Sequence, residues 1–397
     1  MSHSRDLDTL LKEQQLLVCI GPGGVGKTTL AAAMGLRAAS LGQRTLVLTI
    51  DPAKRLADAL GLDGLDDEIR EIKTESLTQA GHVIPGKLYA AMFDNAVSMD
   101  SLMRRVAPDP VTRDKILSNR VYRAMAGSLA RSHAYLAMER LYEVMQSEAY
   151  DLVILDTPPA RNALDILDAP GKLASFLEEG VVKWFVRSKD AKGLRARLMQ
   201  NSGAAALKLF SAIVGKGFLQ EIVAFFEAFY SLRHGFRERA VGIQKIMGED
   251  SSSFVLVSSV DQTHLQDARV LAESVMERGI TLETVVFNRS YQPLSPDPQV
   301  RICTLKKKTG ADCLQSLKEQ GVDLTAIPAG SEAMLERFSE LRHDAAQENA
   351  TGLAASRSFL AAVATKSAPL YVGRIDDEIA DLPGLYDLLA YFSPSTS

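Results

Sequence analysis

The sequence is poor in cysteine, with Cys19, Cys303 and Cys313 as the only thiols in 397 residues. They are too few and too scattered for a disulfide framework, so a reducing compartment is the simpler setting. No stretch approaches the run of about 18 apolar residues that a membrane-spanning helix needs, and the first residues lack the apolar segment of a signal peptide. We therefore expect a cytosolic protein that is not an integral membrane protein.

An excess of positive charge is also lacking. The formal net charge is −4 and the isoelectric point is about 6.0, whereas an obligate nucleic-acid binder usually carries a basic excess. The six histidines show no metal-ligand spacing. With 46% hydrophobic and 24% charged residues, the composition is that of an ordinary globular protein. No nucleic-acid partner is therefore expected.

What the sequence does contain is a glycine-rich loop between an apolar run and a helix. Leu16–Ile20 has the length and composition of a strand buried on both faces of a parallel sheet, and an alanine-rich helix is predicted over 28–39. The pattern G-x-x-x-x-G-K-[ST] is matched by Gly21, Gly26, Lys27 and Thr28. Such a loop cradles phosphates with its N–H groups, its lysine reaches the outer phosphates, and its hydroxyl serves Mg²⁺. The stretch predicts a nucleotide-binding site.

Two further predicted strands lead into a carboxylate. The strand predicted over 44–50 is followed directly by Asp51. An open parallel sheet binds its ligands at this carboxyl end of its strands. The strand predicted over 151–156 closes with Asp156, and in a P-loop protein such a carboxylate beside the loop holds Mg²⁺ through a water. An aspartate after an apolar run is otherwise more often a helix cap or a turn residue. The assignment of Asp156 to Mg²⁺ therefore depends on the loop.

Strands alternate with helices, which predicts an α/β fold with a doubly wound, mainly parallel sheet and helices on both faces. With the loop, this is a P-loop NTPase. The predicted strands cover 16–20, 44–50, 87–93, 151–156, 254–258, 282–287, 322–327 and 369–372, and 63–86 is predicted to be a loop-rich connection. Ser393 to Ser397 are expected to be disordered. We assign 1–170 and 250–397 to the ATPase domain, and 171–249 to an inserted helical subdomain.

The predicted insertion carries an apolar stripe at helical spacing. Its members are Leu207, Phe210, Val214, Phe218, Ile222, Phe225, Phe229, Leu232 and Phe236. Such stripes usually pack on the body of a protein. Phenylalanines at this density are also what a partner-binding surface shows, so a subdomain that presents an apolar groove is the alternative.

Four motifs taken together resemble one family. GPGGVGKTT, TIDPAKRLADAL, DTPPARNALDILDAP and VVFNR, in this order over about residues 15 to 290, are similar to the arsenite-transporting ATPases. That family includes the ATPase that guides tail-anchored membrane proteins and a broad set of bacterial relatives. The resemblance implies an enzyme that hydrolyses ATP with Mg²⁺ and works as a homodimer.

The resemblance also assigns roles to positions. The phosphates would lie against Gly23, Gly24, Val25, Gly26, Lys27, Thr28 and Thr29. Mg²⁺ would be bound by Thr28 and, through water, by Asp156. Asp51 would orient the attacking water, Asn288 would hydrogen-bond the adenine, and Pro158 to Asn162 would form the second switch. Asp51 and Lys27 are the catalytic candidates, since phosphoryl transfer needs positioning and charge neutralisation more than covalent chemistry.

One departure from the family pattern lies in the loop itself. Pro22 stands where the deviant P-loop of this family commonly has a second lysine, which reaches the nucleotide of the partner subunit. Lys54, Arg55 and Arg161 lie in or beside the switches and are candidates to replace it. Because a cationic contact of this kind accelerates phosphoryl transfer by orders of magnitude, we expect slow turnover.

Two other departures concern the second switch and a metal. Ala160 and Asn162 stand where relatives often have threonine and histidine. Cys303 and Cys313 are not spaced as the Cys-x-x-Cys pair that closes a zinc-bridged dimer, so zinc and trivalent arsenic have little support.

The leading hypothesis is a Mg²⁺-dependent ATPase, a dimer switched by ATP that captures and releases a hydrophobic client or membrane-protein segment. The alternative is a nucleotide-sensing interaction module with negligible hydrolysis, which Pro22, Ala160 and Asn162 motivate. Arsenite-stimulated export is a third hypothesis, and the cysteine positions argue against it.

Overall fold

The computed structural model describes residues 7–50, 55–65, 68–93, 100, 102–104, 106–123, 133–159, 221–222, 224–225, 228, 230–290, 307–319, 328, 330–374, 379 and 381–394. Within these residues nine strands form one sheet. The strands are β1 Leu16–Ile20, β2 Arg44–Thr49, β3 Arg70–Ile72, β4 Lys87–Met92, β5 Leu152–Asp156, β6 Ser252–Ser259, β7 Leu282–Ser290, β8 Leu370–Gly373 and β9 Phe392–Pro394.

Helices lie between the strands in the described part of the chain, which gives the predicted α/β alternation. They are α1 Leu7–Glu13, α2 Lys27–Ser40, α3 Arg55–Ala59, α4 Glu75–Gln79, α5 Pro110–Ser118, α6 His133–Gln146, α7 Arg233–Gly248, α8 Gln262–Glu277, α9 Gly310–Glu319, α10 Glu332–Ala362 and α11 Leu382–Leu388. A 3₁₀ turn, Leu389–Tyr391, leads into β9. No helix among the described residues is both long enough and apolar enough to cross a membrane.

The sheet has the order β3-β4-β2-β5-β1-β6-β7-β8-β9, and only the outermost pairs, β3 with β4 and β8 with β9, run antiparallel. The P-loop strand β1 is therefore central, between β5 and β6. Parallel strands in this order require helical crossovers, which cover both faces. The structure confirms the predicted mainly parallel α/β fold.

The pleat divides the side chains of β1 between two cores. Leu16, Val18 and Ile20 face one layer, which also contains apolar residues of α6, α7, α8 and α10. Leu17 and Cys19 face the other, which is built on α2, α1 and α11. Every residue of β1 is buried, as the unbroken apolar run predicts. The loop after β1 is thus held on a strand that is fixed from both sides.

One local prediction was wrong. Ser393 was expected in a disordered tail, yet it pairs with Tyr371 in the antiparallel edge strand β9. This strand is only three residues long, too short for a visible alternation of apolar and polar residues. The connection over 63–86 contains the short elements β3 and α4, while most of its described residues lie outside helices and strands, as expected.

Part of the phenylalanine stripe lies in the body of the protein. Phe225, Leu232 and Phe236 are buried in the core layer that covers one face of the sheet, which agrees with the packing interpretation for these three positions. The stripe members Leu207, Phe210, Val214, Phe218 and Phe229 lie outside the described residues. The strand predicted over 322–327 also lies outside them, and the boundary at 171–249 stays a prediction.

Candidate nucleotide-binding site

The loop between β1 and α2 has a backbone that only glycine adopts easily. Gly24 and Gly26 have φ angles of 76° and 89°, in the left-handed region where a side chain costs about 1–2 kcal/mol. Gly26 is also the N-cap of α2, and a Cβ atom there would collide with the side-chain amide of Asn288. The loop thus requires glycine at position 26 for its conformation and for its close approach to β7.

Lys27 is folded back over the loop. Its ammonium group donates hydrogen bonds to the carbonyl oxygens of Gly21, at 3.1 Å, and Pro22, at 2.8 Å, and the residue is buried. The cation is therefore held by the loop that would surround a phosphate. A charge in this position can exchange neutral carbonyl partners for phosphate oxygens, which bind it more strongly because the hydrogen bonds are charge-assisted.

Thr28 joins the loop to the strand that ends in a carboxylate. Its hydroxyl donates a hydrogen bond of 2.7 Å to Asp156 Oδ2, and the hydroxyl of Thr49 donates a second, of 2.9 Å, to the same oxygen. All three residues are buried. The sheet register explains the arrangement, because Asp156 lies level with Thr49 on β2 and with Cys19 on β1. Two hydroxyls from different elements thus orient one buried carboxylate.

This donor set fits Mg²⁺. The ion prefers oxygen ligands and is usually bound by one or two carboxylates together with substrate phosphates. Thr28 and Asp156 supply a hydroxyl and a carboxylate beside the loop. No group of three or more metal-ligating side chains occurs within the described part of the chain. Phosphate oxygens and water would supply the remaining ligands of Mg²⁺.

The residues that directly follow β5, where the predicted second switch begins, are tied to β1. Thr157 hydrogen-bonds the carbonyl oxygen of Cys19 with its hydroxyl, at 2.7 Å, and with its backbone N–H, at 3.3 Å. A Cβ atom added to Gly23 would lie 3.6 Å from Cβ of Pro159. The loop and the residues after β5 are therefore close neighbours.

Cys19 lies below the loop as a core residue. Its burial, and to a lesser extent the charge of Asp156, raise the pKa of its thiol, while the charge of Lys27 opposes this. The thiol therefore stays protonated and poorly reactive near neutral pH, because the thiolate is the nucleophile. This agrees with the interpretation of Cys19 as a small core residue.

Asn288 contacts the loop. Its side-chain amide donates to the carbonyl oxygen of Val25, at 2.8 Å, and its Oδ1 accepts from the backbone N–H of Arg289. The family resemblance implied a contact of Asn288 to adenine, which stays a prediction. The hydrogen bond to Val25 adds a role in supporting the loop that sequence reasoning missed, because it depends on the approach of β7 to the P-loop.

The predicted site is therefore assembled in part. The structure brings together Gly23, Gly24, Val25, Gly26, Lys27, Thr28, Thr29, Asp156 and Asn288 around one loop. Asp51, Lys54, Ala160, Arg161, Asn162 and Cys303 lie outside the described residues. Thr49 was missed, since only the register of β2 against β5 reveals it.

The fold and the site together define a P-loop nucleotide-binding protein. Comparison with known proteins gives the family, because the model of the anion-transporting ATPases matches residues 14–329. The chain therefore belongs to the anion-transporting ATPase family and is an ATP-hydrolysing enzyme.

Several relatives carry ATPase names. ATPase GET3 of Malassezia globosa is 23% identical over 304 residues, which are 76% of this chain and 80% of that protein. The ATPase ASNA1 homolog of Trypanosoma cruzi is 23% identical over 326 residues, 76% of this chain and 81% of its own. A protein of Prosthecochloris vibrioformis that is named as an arsenical pump-driving ATPase is 31% identical over 182 residues. That match spans only 44% of this chain and 40% of the relative.

Proposed function

We propose that this chain is a Mg²⁺-dependent ATPase whose metal is held by Thr28 and Asp156. The observation that carries the proposal is the buried 2.7 Å hydrogen bond between these two side chains, which joins the P-loop helix to the end of β5. Oxygen donors from these two elements, beside a buried lysine, are the set that a nucleotide-bound Mg²⁺ requires.

The residues of the chain then act by positioning and by charge. Lys27 leaves the carbonyl oxygens of Gly21 and Pro22 and binds phosphate oxygens, while the N–H groups at the start of α2 point at the same anion. Bound Mg²⁺ would neutralise phosphate charge. Asp51 is proposed to orient the attacking water, and Asn288 to contact the adenine while it supports the loop.

The proposed output is a homodimer that changes its affinity for a hydrophobic client or partner protein in step with ATP. Support comes from the family membership and from the phenylalanine-rich sequence of the insertion. Because Phe225, Leu232 and Phe236 are buried in the body, the client surface would be formed by other members of the stripe. We propose a cytosolic setting, in keeping with the low cysteine content.

A second candidate function is nucleotide sensing without hydrolysis. The observation that favours it is Pro22, whose carbonyl accepts from Lys27 and whose side chain has no charge to offer a partner subunit. Such a protein would bind ATP tightly and keep it.

Single-turnover ATP hydrolysis separates the two candidates. We expect slow hydrolysis by the wild type and a large loss in Asp51→Asn, because the amide no longer accepts a proton or polarises water as a carboxylate does. Light scattering in ATP and in ADP reports the dimer in the same samples. ATP that is bound but never hydrolysed by the wild type would establish the sensing module instead.

A further inference from the structure

Strand β7 carries an irregularity beside the P-loop. Its pairing with β8 joins Phe287 to Tyr371 and Ser290 to Gly373, so three steps along β7 match two steps along β8. The residues at 288 and 289 therefore share the place opposite a single residue of β8, which is a β-bulge. Bulges are rare between parallel strands, and they are over-represented next to active sites, where they redirect a side chain.

The bulge puts Arg289 on the same face of the sheet as Asn288. Phe287 and Ser290 share a face, because their partners on β8 are two residues apart. Positions 288 and 289 each adjoin one of these two residues, so both lie on the opposite face. Val286 on that face belongs to the core layer that contains α2, the helix of the P-loop. Arg289 therefore lies on the side of the sheet that carries the nucleotide site.

Arg289 is connected to the P-loop through one side-chain amide. Oδ1 of Asn288 accepts a hydrogen bond from the backbone N–H of Arg289, at 2.9 Å. Nδ2 of the same amide donates to the carbonyl oxygen of Val25, at 2.8 Å. The backbone of Arg289 is thus separated from the backbone of the loop by a single carboxamide. A long side chain that starts there is close enough to reach a phosphate held by the loop.

The backbone of Arg289 is strained and its charge is available. Its φ angle is 55°, in the left-handed region that residues with a Cβ atom avoid. The side chain is exposed, and its guanidinium group makes no hydrogen bond or ion pair with another described residue. Strained residues persist where the surrounding structure fixes them, and they cluster at functional sites. The strain and the available charge together favour a ligand for this cation.

The loop itself offers a single cation to the nucleotide. Lys27 is the one basic residue between Gly21 and Thr29, and Pro22 stands where the family pattern commonly has a second lysine. Phosphoryl transfer depends on neutralising the charge of the phosphates, to which an arginine can contribute. A guanidinium group suits this task, because it binds phosphate through two parallel hydrogen bonds.

We infer that Arg289, presented by the bulge in β7, is a second phosphate-binding residue of the nucleotide site. It would add a cation to Lys27 from within the same chain. The inference rests on the proposed function, since it requires ATP at the P-loop.

Titration of the full chain with a fluorescent ATP analogue tests the inference. Arg289→Asn removes the charge, and asparagine tolerates the left-handed region, so the variant should melt no lower than the wild type. We expect it to bind about tenfold more weakly, the loss of one charge-assisted hydrogen bond. Arg289→Lys keeps the charge and should lose less affinity than Arg289→Asn. Arg357→Gln, which changes an exposed arginine of α10, is the matched control and should bind as the wild type does.

Lys27→Ala separates this inference from the proposal on which it rests. No binding to the wild type, or wild-type affinity in Lys27→Ala, would remove the nucleotide site and the inference with it. If Lys27→Ala loses affinity while Arg289→Asn binds as the wild type does, the inference alone is overturned. Equal losses in Arg289→Lys and Arg289→Asn would show that the charge makes no contact, and would overturn the assignment to phosphate.

Discussion

The two edges of the sheet differ in how their polar groups are paired. At the carboxyl edge the polar groups of the loop are hydrogen-bonded. Lys27 donates to two carbonyl oxygens, and Thr28 and Thr49 both donate to one carboxylate oxygen of Asp156. At the amino edge, two buried glutamine oxygens have no donor. The first edge is arranged so that a ligand would replace existing hydrogen bonds, whereas the unpaired oxygens of the second are closed off from solvent. The same sheet thus carries a pre-organised site at one edge and, at the other, buried polar atoms that cost stability.

The largest expected effect comes from removing the cation of the carboxyl edge. Lys27→Ala deletes the group that the loop holds for phosphate, so we expect ATP affinity to fall about a hundredfold, near the upper range for a charge-assisted hydrogen bond. Binding of a fluorescent ATP analogue measures this. Lys115→Ala, on the exposed surface of α5, is the control and should leave affinity unchanged. Wild-type affinity in Lys27→Ala would mean that the carboxyl edge is not the nucleotide site.

The next effect concerns the helices that wall the amino edge. Arg239 on α7 is paired at 2.9 Å with Glu139 on α6, whose side chain is only 1% exposed. Arg239 also lies over the ring of Tyr142. Arg239→Met leaves a buried carboxylate without its cation, so we expect the free energy of unfolding to fall by about 2 kcal/mol, a value reduced for the partial exposure of the arginine.

Urea unfolding measures that loss. Arg269→Met removes an exposed pair with Glu273 on α8 and should change stability by no more than about 0.5 kcal/mol. If both variants lost the same small amount, the α6–α7 ion pair would have no special role in holding this edge.

A smaller effect compares two threonines of one strand. Thr49 donates to Asp156, whereas Oγ1 of Thr45, four residues earlier on β2, is buried without a partner. Thr49→Val should weaken Mg²⁺ affinity in the presence of nucleotide by about tenfold, because residues that orient metal ligands typically matter to this degree. Thr45→Val should leave Mg²⁺ affinity unchanged and raise the free energy of unfolding by up to about 1 kcal/mol. Similar Mg²⁺ affinities for the two variants would contradict the orienting role of Thr49.

The site residues that could be predicted from the sequence are those that belong to local motifs. Lys27 and Thr28 follow from a local pattern, and Asp156 follows from the end of an apolar strand beside that pattern. Thr49 could not be predicted, because its contact depends on the register of β2 against β5. The unpaired oxygens of Gln14 and Gln43 escape notice for a similar reason, since their burial depends on how separate parts of the chain pack.

The edge strands show a second limit. β9 contains Pro394, in a serine-rich tail that has the composition of a disordered end. Proline is tolerated in an edge strand, where one side of the backbone needs no partner. Tertiary pairing with β8 therefore orders a segment that local preference would leave without structure.

The most direct test of the account is the Mg²⁺ dependence of single-turnover ATP hydrolysis in the wild type and in Asp156→Asn. Asparagine keeps the size of the side chain but removes the charge that Thr28 and Thr49 orient. We predict no hydrolysis in EDTA, and in the variant at least about a tenfold increase in the Mg²⁺ concentration for half-maximal rate. Hydrolysis by both proteins with the same Mg²⁺ dependence would contradict the assignment of Asp156 to the metal.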